Sequence, residues 1–184
     1  MNKTYTAIAK LFHWGMAFIF AGIFALGFVM TDMPLSPEKL QYYAWHKWGG
    51  VCIFVLVWLR LVWRALNPPP AYSDTLSPLV KLTANLSHAA MYCLMIIIPV
   101  SGWLMSSAKG VSTVWFGVIP LPDLLQKDKE LGHLLQDIHQ TLNYLLLLLI
   151  AGHVAAALKH HYIEKDNILK RMLPICCVTD KDNP

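Results

Sequence analysis

Five histidines lie inside apolar stretches of this 184-residue sequence, and imidazole is a common metal ligand. They are His13, His46, His88, His139 and His153. An ionisable residue in an apolar stretch of membrane length is costly and is a functional candidate by default. A structural hydrogen bond explains any one of them equally well, but five together favour metal binding.

The spacing of His139 and His153 sharpens this interpretation. They are 14 residues apart in one apolar stretch, and on a helix this step turns about 1400°, about 40° short of four turns, and rises about 21 Å. Both side chains therefore face the same way, near opposite ends of one span. Two metal centres stacked across a bilayer require this spacing.

The same 14-residue step pairs residues on the other stretches: His13 with Gly27, His46 with Arg60, and His88 with Gly102. Because successive spans alternate in direction, one level receives His13, Arg60, His88 and His153, and the other receives Gly27, His46, Gly102 and His139. The second level has two imidazoles, too few for a tetrahedral zinc site. Two are what a bis-histidine haem needs, and such an iron transfers electrons because no position is left for a substrate.

Glycines accompany the histidines in this register. Gly27 and Gly102 occupy the non-ligand positions, and Gly49 and Gly50 follow His46 by three and four residues. We expect them to leave room for a flat macrocycle against the backbone. The alternative is that they are ordinary small residues at helix contacts.

The elements that position these residues are membrane helices. The chain is 56% hydrophobic and 14% charged, with a mean hydropathy of +0.46, which excludes a disordered chain and makes a soluble domain improbable. A helix needs about 20 apolar residues to cross a bilayer, and four stretches qualify. The sequence predicts one all-α domain over residues 1–184, an integral membrane four-helix bundle with a tail from residue 159. Its predicted spans cover 11–30, 42–63, 86–105 and 138–158.

The distribution of charge predicts the orientation. Ten of the 15 basic residues fall on the side of the two termini and five on the other side, whereas the 11 acidic residues divide five to six. By the positive-inside rule, both termini are cytoplasmic. The net charge of +4 then reflects topology, and nucleic-acid binding is not expected. In the outer segment 109–132 we expect a short surface helix.

The sequence resembles the bacterial cytochrome b561 family of di-haem membrane proteins over nearly its whole length. The similarity to haem subunits of membrane formate dehydrogenases and hydrogenases is fainter. The matching pieces are FHW around His13, WHKWGG around His46, LSHAAMY around His88, VSGWLMSS, IHQTL around His139, GHVAAALKHHY from Gly152, and KDNILKRMLP in the tail.

This resemblance implies two haem b groups. It makes His46 and His139 the axial ligands of the outer haem iron, and His13 and His153 those of the cytoplasmic haem iron. The outer pair also follows from the levels above. At the cytoplasmic level three histidines compete for two places, and the choice of His13 over His88 rests on the resemblance.

Four further residues are candidates for contacts with ligands. Arg60 and His88 are candidates for a haem propionate or a quinone, and His160 and His161 for a quinone or a proton route. Each has an alternative role: Arg60 as a solvated basic residue, His88 as a residue hydrogen-bonded within the bundle, and the His160–His161 pair as an interfacial anchor.

The resemblance implies oxidation of superoxide at the outer face of a bacterial cytoplasmic (inner) membrane, with electrons passed to ubiquinone. Quinone and membrane lipid are then the expected partners. A second hypothesis is a haem-carrying anchor that passes electrons between a dehydrogenase, as redox partner protein, and quinone. A third is a non-haem structural or transport protein. The outer loops carry five basic and six acidic residues, so the sequence does not predict a positive funnel for an anion.

Overall fold

A computed structural model describes residues 4–72 and 76–174, and the end of the predicted tail lies outside these residues. The four long helices are each long and apolar enough to cross a membrane. The predicted all-helical membrane four-helix bundle is confirmed. The elements are α1 (Ala7–Asp32), α2 (Pro37–Leu66), α3 (Pro78–Ala108), β1 (Val114–Trp115), β2 (Ile119–Pro120), α4 (Lys129–Tyr162) and α5 (Ile168–Met172).

Every predicted span lies inside one helix, but the helices extend beyond the apolar stretches, chiefly at their N-termini. A capping side chain begins each long helix by accepting the N–H three residues further on. The caps are Thr6, Ser36, Ser77 and Asp128. The helices therefore include polar first turns, which hydropathy alone does not detect.

Two apolar clusters hold the helices together. The first contains Met16, Ile53, Val57 and Met95, and the second contains Leu94, Ile98 and Leu146. Phe20 of α1 packs against both. Many other large apolar side chains are exposed, as on Phe18, Leu148 and Leu11, which suits a surface facing lipid rather than water.

The bundle has two distinct ends. The terminal end contains the start of α1 and α3 and the end of α2 and α4, and α5 lies there. Trp14 Nε1 donates to Met172 O at 2.9 Å, and Arg171 donates to Ala71 O at 2.9 Å. These bonds fasten α5 across the terminal end.

The opposite end, here called the hairpin end, carries β1 and β2 as a two-stranded antiparallel hairpin. The expected short surface helix in 109–132 is wrong, because no helix lies between Ala108 and Lys129 in the described chain. Phe116 and Gly117 adopt positive φ angles of 50° and 72° in the turn, a conformation incompatible with a helix. Trp48 Nε1 donates to Val114 O at 2.7 Å and so holds the hairpin against α2.

Candidate functional site

At the hairpin end, His46 of α2 and His139 of α4 face each other. Their ring centroids are 6.4 Å apart and the rings are inclined by 78°. A histidine nitrogen binds a metal at about 2 Å, so imidazoles on opposite sides of one ion have centroids about 6 Å apart. The observed separation fits that arrangement.

The hydrogen bonds behind the two rings determine their tautomers. His46 Nδ1 lies 3.1 Å from Ile23 O, and His139 Nδ1 lies 3.1 Å from Ile98 O. A carbonyl oxygen can only accept, so each Nδ1 carries a proton and donates it. Each Nε2 then keeps its lone pair, the state that a metal ligand requires.

Ser101 supports the His139 tautomer. Its hydroxyl donates to Ile98 O at 2.7 Å, and its oxygen lies 2.9 Å from His139 Nδ1. Since the Ser101 proton is committed to Ile98 O, its oxygen accepts from Nδ1. Two acceptors thus hold this imidazole.

A narrow cavity of about 40 Å³ separates His46 from His139. Apart from Asn143, whose side chain donates to His139 O at 2.7 Å, its lining is mostly apolar. The lining comprises Phe20, Ile23, Phe24, His46, Gly50, Ile53, Ile98, Pro99, His139 and Asn143. The donor set and the apolar walls fit a flat, largely apolar macrocycle bound through its metal.

The sequence predicted that Gly27, Gly49, Gly50 and Gly102 would all leave room for a macrocycle. In the structure these four glycines have different surroundings. A Cβ on Gly102 would lie 3.0 Å from His139 Cε1, and one on Gly27 would lie 3.5 Å from His46 Cε1. Gly102 therefore makes room for the His139 imidazole, whereas a Cβ on Gly27 would make an ordinary van der Waals contact with His46. A Cβ on Gly49 would lie 2.7 Å from Ile23 Cγ1, so Gly49 permits close contact of α1 and α2, whereas Gly50 lines the cavity.

At the terminal end, the structure brings three histidines together. The ring centroids of His13 and His153 are 6.2 Å apart, and those of His88 and His153 are 5.3 Å apart. The first separation is close to that of the hairpin-end pair. The assignment of His13 and His153 here, like that of His46 and His139 at the hairpin end, stays a prediction.

Arg60 lies beside this group, with a guanidinium nitrogen 3.2 Å from His13 Nδ1 and its Cζ over the Tyr92 ring at 5.5 Å. Arginine can only donate, so Nδ1 of His13 acts here as the acceptor. The proton of the neutral ring is then on Nε2. The separation of His13 and His153 therefore fits a bis-histidine site. The tautomer of His13 fits it only when the Arg60 guanidinium bonds to another acceptor and releases Nδ1 of His13.

His160 and His161 lie at the end of α4. His160 Nδ1 is 2.5 Å from Glu164 Oε2 and 2.6 Å from Asp166 Oδ2. The hydrogen bond from Lys159 is the main cause that lowers the pKa of Glu164. His161 Nδ1 is buried without a hydrogen-bond partner in the described residues.

Three lysines at the hairpin end are hydrogen-bonded to the chain itself. Lys39 and Lys47 donate to the carbonyls of Met33 and Val111, and Lys109 donates to the Gln136 side chain. The pKa of Lys109 is lowered by burial, and the nearby Asp137 offsets only part of this effect.

Sequence reasoning missed the groups behind the imidazoles, which are Ser101 and the carbonyls of Ile23 and Ile98. It also missed Asn143, which donates to His139 O and lines the cavity. Asn143 follows His139 by four residues and so lies on the same helix face, a signal that could have been used. Ser101 directly precedes Gly102, which the 14-residue spacing had already placed at the level of His139, and this was a second usable signal. The Ile23 carbonyl has no signal in the sequence.

Comparison with known proteins gives consistent matches. The family model for prokaryotic cytochrome b561 matches residues 4–174. The chain is 35% identical over 178 residues to cytochrome b561 homolog 2 of Escherichia coli K12, covering 93% of this chain and 92% of that protein. It is 30% identical over 184 residues to a protein of Yersinia pestis named probable superoxide oxidase CybB, covering 95% and 98%. Cytochrome b561 homolog 1 of Escherichia coli K12 is 32% identical over 136 residues, covering 70% and 73%.

Proposed function

Because this chain belongs to the prokaryotic cytochrome b561 family of membrane haem-b electron-transfer proteins, we propose that it holds two haems and carries electrons across a bacterial inner membrane. The main support for this proposal is a pair of imidazoles near each end of the bundle, with ring centroids 6.4 and 6.2 Å apart. The α4 residues of the two pairs, His139 and His153, are separated by about 21 Å of helix rise.

At the hairpin end, His46 and His139 would bind the haem iron through Nε2. When bound, the haem would supply a one-electron redox couple, and the two imidazoles would hold its iron. Ile23, Ile98 and Ser101 orient the rings and hold the protons on Nδ1. The apolar walls of the cavity exclude water from the iron ligands.

At the terminal end, His13 and His153 are the proposed ligands. The role proposed for Arg60 is to bind a haem propionate. A carboxylate is a stronger acceptor than a neutral imidazole, so it would draw the guanidinium from His13 Nδ1. That nitrogen would then be free to carry the proton, and Nε2 to bind iron.

Superoxide is the proposed donor at the hairpin end, and ubiquinone the proposed acceptor. Two superoxide ions give two molecules of dioxygen and two electrons, and one quinone takes both electrons with two protons to form the quinol. The name of the Yersinia pestis relative supports this donor. His88, the buried Nδ1 of His161, and Nε2 of His160 are candidates for quinone contact or proton delivery at the terminal end.

The test uses the purified, haem-loaded chain with an enzymatic superoxide source and a soluble ubiquinone analogue. We expect quinol formation that superoxide dismutase abolishes and that His139→Ala removes. A reduced-minus-oxidised spectrum should show b-type bands. Absence of those bands, with no extractable haem, would contradict every redox function; bands without superoxide-dependent quinol would contradict only the donor and acceptor.

The exposed hairpin favours a second candidate, the haem-carrying anchor of a dehydrogenase. Val118 is 77% exposed and Phe116 is 55% exposed, outside the apolar spans. Apolar side chains at such a position suit contact with a protein partner. Stable co-purification with a soluble redox subunit, lost in a Phe116→Ser, Val118→Ser variant, would support this role.

A further inference from the structure

A third group of potential metal ligands lies apart from both histidine pairs, in the last turn of α4 and the residues that follow it. It comprises Nδ1 of His160, a carboxylate oxygen of Glu164 and one of Asp166, all within 4.8 Å of one another. The two oxygens lie 2.5 and 2.6 Å from the same nitrogen. One nitrogen and two carboxylate oxygens from residues 160–166 thus form a compact N,O,O set.

The two carboxylates are anchored through their other oxygens. Lys159 Nζ lies 2.7 Å from Glu164 Oε1, and the N–H of Ile168 donates to Asp166 Oδ1 at 3.0 Å. Each anchor leaves one oxygen directed at His160. Lys159 and the backbone of Ile168 therefore help to hold the two carboxylates in place around His160 Nδ1.

Both acceptors at His160 Nδ1 are carboxylate oxygens, whereas those behind His139 are neutral. Nδ1 carries at most one hydrogen, so the two carboxylates must share it. A cation in place of that proton would contact all three atoms. The position at the C-terminal end of α4 adds to this, because the helix dipole there favours positive charge.

We propose that His160, Glu164 and Asp166 form a binding site for one divalent transition-metal ion of the zinc type. Zinc accepts imidazole nitrogen and carboxylate oxygen at about 2.0–2.2 Å, so the ligand atoms would separate to about 3 Å from one another. The imidazole would bind through Nδ1 in its neutral form, with its proton on Nε2. Glu164, with 37% of its side chain exposed, leaves solvent access for a fourth ligand.

The nitrogen ligand determines the class of ion. Ca²⁺ and Mg²⁺ prefer sites made wholly of oxygen, whereas imidazole suits Zn²⁺ and its neighbours in the transition series. A bound ion would fix the 163–167 connection between α4 and α5. Since α5 is bonded to Trp14 through Met172 O, the ion would stabilise the terminal end of the bundle.

The test is calorimetric titration of Zn²⁺ into the chelator-treated, haem-loaded full chain in detergent. We expect one equivalent to bind, and His160→Asn, Glu164→Gln and Asp166→Asn each to weaken it more than about tenfold. The matched control is His133→Asn, which removes an exposed histidine at the opposite end of α4 and should leave the affinity unchanged. Mg²⁺ should give no comparable binding.

A second measurement protects the test against misfolded variants. Zn²⁺ should raise the melting temperature of the wild-type chain and of His133→Asn, and leave that of Glu164→Gln and Asp166→Asn unmoved. If wild type binds no Zn²⁺, or if the three variants bind it as tightly as wild type, the proposal is wrong. The group is then an ion-pair network of Lys159 and His160 with the two carboxylates.

Discussion

The imidazole of His139 has two acceptors behind it, Ile98 O and Ser101 Oγ, whereas that of His46 has one, Ile23 O. Partners of this kind fix the orientation of a ligand and raise its basicity. The two imidazoles proposed to hold one haem are thus supported unequally. This inequality was not visible in the sequence, where both histidines are simply polar residues in apolar stretches.

Ser101→Ala should raise the midpoint potential of one haem. The change removes one acceptor from His139 Nδ1, which makes Nε2 a weaker donor to the oxidised iron, while Ile98 O still fixes the tautomer. A spectroscopic redox titration measures the shift. Ser106→Ala is the control, because Ser106 is also buried but bonds to Val111 O; equal shifts in the two variants would remove the special role of Ser101.

Arg60→Gln should lower the midpoint potential of the other haem, because it removes a positive charge proposed to lie beside a propionate. Arg60→Lys should restore part of the difference. Arg64→Gln is the matched control, since Arg64 also lies over the Tyr92 ring, at 5.8 Å. A potentiometric titration in which both glutamine variants behave alike would contradict the propionate contact.

The competition between His13 and His88 can be resolved with two alanine variants. We expect His13→Ala to lose one haem and His88→Ala to keep both. The ring centroids of His13 and His153 are 6.2 Å apart, close to the 6.4 Å of the hairpin-end pair, whereas those of His88 and His153 are only 5.3 Å apart. Haem per chain, measured by pyridine haemochrome assay, decides between them. The opposite result would transfer the ligand role to His88.

At the scale of the elements, the long helices were predictable because a bilayer needs about 20 apolar residues and each span supplies them. The register of His139 and His153 was predictable because both lie on one helix. The hairpin was not, since Val114 to Pro120 is short and its turn depends on backbone conformations that hydropathy does not report. The role of Gly49 also required the structure, because it depends on a contact with Ile23 on another helix.

Gly49→Ala should disrupt the hairpin-end site without touching a proposed ligand. Its Cβ would lie 2.7 and 2.9 Å from Cγ1 and Cδ1 of Ile23, so the Ile23 side chain or α1 itself must shift. We expect the shift to lengthen the bond from His46 Nδ1 to Ile23 O and to reduce the occupancy of one haem. Gly22→Ala on α1, where a Cβ meets nothing within 4 Å, should retain full occupancy in the same assay.

For the whole molecule, the orientation of the chain decides on which side of the membrane each imidazole pair would meet its proposed redox partner. The pairs lie near opposite ends of the bundle, about 21 Å apart along α4. A donor at the hairpin end is therefore outside the cell membrane only if the termini are inside. The function proposed for this chain depends on that orientation as much as on the haem ligands.

Labelling with a membrane-impermeant maleimide tests the orientation. In a variant whose four natural cysteines are replaced by alanine, Val118→Cys places a thiol on the hairpin and Ile163→Cys places one at the terminal end, at sites 77% and 73% exposed. Since ten of the 15 basic residues lie on the side of the termini and such residues are retained in the cytoplasm, spheroplasts should be labelled at position 118 and resist labelling at 163 until lysis. The reverse pattern would put the hairpin in the cytoplasm, where the proposed transfer of electrons from external superoxide could not begin.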